Sequence, residues 1–190
     1  MPPEASGRAL LGLLGFAKDE GGFGAVAELL AALPPESSRV FDTRVQAIRF
    51  YPYAVYTDLL LALERRFKKP GERFFKRLGD TAGRRDLGTM FKIYVALASP
   101  ERLIRSCTRV WASYYRGAGE MSAIAWEPFD TRLRISGFKE MHPAHCELME
   151  GWMIATMAQI GVQVSSDGRE VACMSRGGPH HEFACTWTKK

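Results

Sequence analysis

An α+β fold is predicted by the order in which two periodicities occur along the chain. Apolar residues recur at helical spacing as far as Tyr115, give way to period-two alternation from Glu120, and return to helical spacing over 143–161. Short β-prone runs around a Gly-Gly-Pro turn then close the chain. The architecture expected is a helical N-terminal half packed on a small antiparallel sheet, with a long helix before a C-terminal hairpin. At 190 residues the chain is expected to form one domain, 1–190.

Leu10, Leu11, Leu13, Leu14 and Phe16 mark one helix and Val26, Leu29, Leu30 and Leu33 a second, a helix pair over 7–33 separated by the break GGFG, residues 21–24. YAVYTDLLLALERRF is an amphipathic helix between Pro52 and Pro70-Gly71. ERFFKRLGD is a short helix closed by Gly79, and DLGTMFKIYVALA over 86–98 is another. SPERLIRSCTRVWASYY begins with Ser99 as cap, Pro100 at the first helical position and Glu101 in the first turn, and GAG at 117–119 ends it. MSAIAWEPF and TRLRISGF are paired strands, the second with Leu133 and Ile135 on one side and Arg132, Arg134 and Ser136 on the other. Pro143 starts the long helix PAHCELMEGWMIATMAQIG; VQVSS and REVACMS, the turn RGGPHH and the strand EFACTW follow.

Hydrophobic residues make up 46% and charged ones 25%, ordinary globular values, and no apolar run approaches the roughly 18 residues of a membrane span. Glu4 precedes the apolar N-terminal stretch and no cleavage signal follows it, so a cytoplasmic protein is expected. Four scattered cysteines do not make a disulfide framework; in a reducing compartment they stay thiols or bind metal. Between Glu64 and Asp86 nine basic residues face four acidic ones, an excess equal to the chain's whole net charge of +5. Phe67, Phe74 and Phe75 interleave those charges. The pattern admits contact with nucleic acid or anionic lipid, but a solvated helix face with its phenylalanines turned inward is the expectation.

The last 45 residues concentrate the metal-binding chemistry: Cys146 on the long helix, then Glu170, Cys173 and Cys185 around the hairpin, with His180 and His181 between the last two cysteines. HPAHC, with His142 and Cys146 four apart, is a second, weaker candidate metal site whose histidines sit at a helix start. The rings of Phe91, Tyr94, Trp111, Tyr114, Tyr115, Trp126 and Trp152 either fill a core or line an apolar pocket. No Gly-x-Ser-x-Gly elbow, P-loop, dinucleotide fingerprint or His-Glu-x-x-His helix is present, so an enzyme is not expected.

CELMEGWMIATMAQIG and ACMSRGGPHHEFACTW resemble the C-terminal half of the 4-vinyl reductase-like domain. That superfamily also holds phenol-sensing domains, TRAPP-type tethering subunits and, more distantly, haem nitric-oxide-binding domains. FYPYAVYTDLLLAL, Arg77-Leu78-Gly79 and the SPERLI helix are similar to a myxobacterial paralogous family of unannotated function. The resemblance implies a zinc ion at Cys146, Glu170, Cys173 and Cys185, with His180 or His181 able to replace Glu170. It also places Trp126 against a ligand, and the rings of Trp111, Phe91, Tyr94 and Trp152 are the further candidates for lining that site. The haem branch carries a Tyr-x-Ser-x-Arg motif, of which ASYYRG is the nearest string here and lacks it, so no haem is expected. The resemblance thus implies a non-enzymatic, homodimeric sensory domain that binds a small apolar molecule. Its alternative is a ligand-free adaptor for a partner protein.

Overall fold

Ser6 holds extended backbone and its hydroxyl accepts the Ala9 N–H, which starts helix α1, Gly7–Ala31. The computed structural model describes residues 1–89, 106–127, 130–159, 162–164 and 168–189. The break expected at GGFG is at Gly22, whose φ of 74° interrupts α1 with a left-handed residue. Strand β1 (Glu4–Ser6) precedes α1 and lies between β2 (Phe50–Pro52) and β3 (Tyr115–Arg116), antiparallel to both. This small sheet was not expected, because three residues of alternation carry no signal until their partners arrive from distant parts of the chain.

After the single turn α2 (Pro35–Ser38), α3 spans Tyr53–Phe67, the predicted segment, and buries Val55, Tyr56, Leu59, Leu60 and Leu63. Helix α4 spans Phe74–Thr89 and runs through Gly79, where a stop was expected. Gly79 is instead a point of contact. A Cβ there would stand 1.9 Å from the Leu148 carbonyl oxygen, and one on Gly151 would stand 1.9 Å from that of Lys76. These two glycines bring the backbone of α4 against that of α6 (Pro143–Gln159), the long helix. Helix α5 is described over Cys107–Tyr114; the expected start of that helix at Ser99 lies outside the described residues.

The larger sheet has the order β4-β5-β8-β7, all antiparallel, from Glu120–Glu127, Asp130–Ser136, His181–Cys185 and Arg169–Ala172. Val162–Val164 (β6) pairs with Trp187–Lys189 (β9) beside it. Register places Leu133 opposite Phe183 and Ile135 opposite His181, all buried, while Arg132 and Arg134 on the other face both bond Glu182. The predicted alternation of β5 is the one observed. The structure is α+β, as the sequence predicts.

Candidate functional site

Two buried polar centres and one cleft surround α6. At the first, Cys146 on α6 meets Glu170 on β7, Cys173 just after it and His181 at the start of β8. One donor atom from each lies within 4.8 Å of the other three. Cys146 Sγ is 3.9 Å from Cys173 Sγ and 3.4 Å from His181 Nδ1, and Glu170 Oε1 is 3.1 Å from the same nitrogen. The Nε2–H of His181 donates to the Phe138 carbonyl at 3.0 Å, which leaves the Nδ1 lone pair facing the cluster. A carboxylate oxygen and a ring lone pair that close need positive charge between them, either a proton on Nδ1 or a metal ion. Burial works to raise Glu170, but hydrogen bonds from His181, Cys173 and Cys146 hold it below the usual carboxylate range. Burial, and then the Glu170 charge, push the Cys146 thiol far up. Three of the four expected ligands therefore converge, joined by His181. Cys185 is also buried but is four residues further along β8, about 13 Å at strand rise. His180 bonds Glu182.

His145, one residue before Cys146 in the HPAHC candidate, forms the second centre. It is fully buried, not at an exposed helix start, among Tyr53, Tyr56, Trp111, Tyr115 and Phe138, with its ring stacked at 15° on Trp111, and neither it nor His142 joins the donor cluster of Cys146. Its spacing with Leu148, Met149 and Trp152 at i+3, i+4 and i+7 was the available signal. The Tyr53 hydroxyl accepts from the His142 N–H at 3.2 Å and lies 2.9 Å from His145 Nδ1. If the hydroxyl proton goes to Nδ1, one buried group is left over, the Nε2–H; the reverse tautomer leaves two. Nε2 has no hydrogen-bond partner. Burial, reinforced by the charges of His181 and His142, lowers the His145 pKa to about 3, so the ring is neutral.

The cleft lies between α1, α4, α5 and α6, with a cavity volume of about 60 Å3 that opens to solvent. Trp111 and Trp152, two of the expected ligand residues, line it with Tyr56, Tyr114, Tyr115 and Met149. Phe91 and Tyr94 lie outside the described residues. Trp126 is in β4 opposite Thr131, with its side chain outside the described part.

The basic segment is largely neutralised from within. Arg66 pairs with Glu28, Lys68 with Glu64, Arg73 with Glu147 and Glu150, Arg77 with Glu20 and Glu72, Arg84 with Asp80 and Arg85 with Asp19. Phe74 and Phe75 are buried, and Phe16 packs edge-on against both Phe67 and Phe74. These rings form no stacking platform for bases.

No family model matches the chain, and no curated protein does. Solved structures do. An H-NOX protein from S. oneidensis in the Fe(II)NO state is 13% identical, with a TM-score of 0.72 over 97% of this chain and 99% of that one. The Fe(II) unliganded H-NOX protein from K. algicida is 12% identical, with a TM-score of 0.68 over 97% of each chain. An oxygen-binding H-NOX domain related to soluble guanylate cyclases is 11% identical, with a TM-score of 0.68 over 97% of this chain and 95% of that one.

These neighbours overturn the expectation of no haem, and they do not show the expected zinc. They belong to the haem nitric-oxide-binding branch, and two of them are described in Fe(II) states. One missing motif was too narrow a ground for excluding haem, because a fold shared at 13% identity need not retain any single motif. Among the described residues, His145 offers a ring nitrogen with no partner that iron could take, although its ring is enclosed by aromatic side chains and is not among those that line the cleft. Its Nε2 is buried and uncommitted, the ring is neutral, and Tyr53 Oη is placed to accept an Nδ1–H once the proton moves to that side. The 4-vinyl reductase-like assignment remains a resemblance. What the comparisons establish for this chain is the fold, which is that of the H-NOX domain.

Proposed function

We propose that this chain is a non-enzymatic sensor domain that binds a small ligand in the cleft between α1, α4, α5 and α6. The observation that carries the reading is the cleft itself, an apolar opening lined by Trp111 from α5 and Trp152 from α6 in a fold whose neighbours are named for nitric oxide and oxygen complexes. An adaptor would fill that space with side chains. Haem, held through His145 Nε2, would supply an iron centre for a diatomic gas; the chain's own part is to hold the imidazole neutral and to keep water from it. The test is titration of the purified protein with haemin and with 1-octanol, following visible absorbance, tryptophan fluorescence and heat. Saturable binding of either at one site per chain is expected, with any haem band lost in His145→Ala. Binding of neither overturns the reading.

A second role is favoured by the donor geometry at Cys146, Glu170, Cys173 and His181. We infer that this set holds a metal ion and staples α6 to the two hairpin strands. Metal analysis of protein purified without chelator should find about one ion per chain, lost in a Cys146→Ser, Cys173→Ser double variant. A metal-free wild type would overturn the inference and leave a hydrogen-bonded His181–Glu170 pair in its place.

A further inference from the structure

Arg8 and Arg85 are the charged residues among the side chains that line the cleft. Arg85 is committed: it donates to the Gly12 carbonyl at 3.1 Å and pairs with Asp19. Arg8, on the first turn of α1, is half-buried with its guanidinium 5.6 Å from the Tyr114 ring centroid, and among the described residues no carboxylate pairs with it. A guanidinium on an apolar wall is poorly hydrated and presents five N–H donors in a fixed fork. The group that complements it is a carboxylate, held through two parallel hydrogen bonds.

Beside Arg8 the wall is missing a side chain. Gly12, one turn further along α1, lines the cleft, and a Cβ built on it would meet nothing within 4 Å. Space therefore runs past Arg8 along α1 toward Leu13, Met149 and Trp152, a largely apolar surface with Arg85 held against the Gly12 carbonyl.

We infer that the cleft takes an amphipathic carboxylate, its apolar body lying over Gly12 between α1 and α6 and its head group on Arg8. This rests on the cleft being the ligand site, and it names the class of ligand. Two sources share that chemistry, an alkyl or aryl carboxylic acid and the carboxylates of a porphyrin.

The experiment compares octanoate with 1-octanol by calorimetry on the wild type, Arg8→Gln, Gly12→Leu and, as a control for net charge, Arg109→Gln on the exposed face of α5. Octanoate is expected to bind about tenfold or more tightly than octanol, as a charge-assisted pair requires. Arg8→Gln should abolish that preference while leaving octanol unchanged; Arg109→Gln should alter neither. Gly12→Leu should block both ligands, and its side chain enters open space on a helix, so the fold should tolerate it. Haemin separates the sources: an Arg8-dependent affinity for haemin without one for octanoate assigns the head group to a porphyrin. Equal binding of octanol and octanoate together with a haemin affinity that survives Arg8→Gln, or an octanoate preference that survives it, overturns the inference. Binding of neither octanol nor haemin overturns the sensor reading itself.

Discussion

His145 and His181 are hidden from solvent to the same degree, each 0% exposed, and they are held in opposite ways. His181 has both ring nitrogens engaged, by the Phe138 carbonyl on one side and by Cys146 and Glu170 on the other. His145 has one nitrogen engaged, by Tyr53, and is otherwise enclosed by aromatic rings. The first is held through polar partners on both sides, while the second stands where burial disfavours positive charge. Burial alone therefore says little about what a histidine does; the partners of its second nitrogen decide.

The contrast should be largest in acid. The His145 pKa is about 3 in the folded chain against 6.5 for the free ring, so between those values the unfolded chain binds the extra proton. Stability from this residue is complete above pH 6.5 and falls as the pH drops toward 3, by about 1.4 kcal/mol per pH unit and about 5 kcal/mol in all. Glu170, whose pKa is lowered, acts with the same sign further down, losing its contribution as the pH falls through its folded value. Urea unfolding at pH 7, 6, 5 and 4 should show the slope in the wild type and a flatter line in His145→Phe. Parallel lines would mean that His145 is protonated in the native state.

At pH 7 the two histidines should separate in the other direction. His181→Phe is expected to cost about 3 kcal/mol, because it leaves the 3% exposed Glu170 side chain facing an apolar ring with Arg176 as its remaining ion partner. His145→Phe removes an unpartnered N–H along with the imidazole and should change stability by less than about 1 kcal/mol. Equal losses in chemical denaturation would erase the distinction.

How much of this was legible in the sequence depended on how local the cause is. Helix α3 was legible, because Pro52 before it and Pro70-Gly71 beyond it are punctuation and the apolar stripe lies between. The alternation of β5 was legible for the same reason. Gly79 was misread as a stop because its role is set by Leu148, sixty-nine positions away, and a glycine that ends a helix looks the same as one that admits a neighbour. At the hairpin, Cys146, Glu170 and Cys173 were legible as donors. The fourth was decided by the parity of β8, which turns His181, Phe183 and Cys185 inward together and brings His181 nearest. Arg8 was passed over, since what marks it is a missing counter-charge, visible only once its surroundings are assembled.

The glycine crossing has a mechanical consequence. With Gly79 and Gly151 at the contact, the main chains of α4 and α6 touch with no side chain between them to absorb a displacement. Both helices wall the cleft, through Ala82 and Arg85 on one and Leu148, Met149 and Trp152 on the other, and α6 alone continues to Cys146. From Trp152 to Cys146 is six residues, about 9 Å of helix. The residues that wall the cleft and the cysteine of the hairpin cluster therefore sit on one short stretch of a helix whose backbone is braced directly against that of α4.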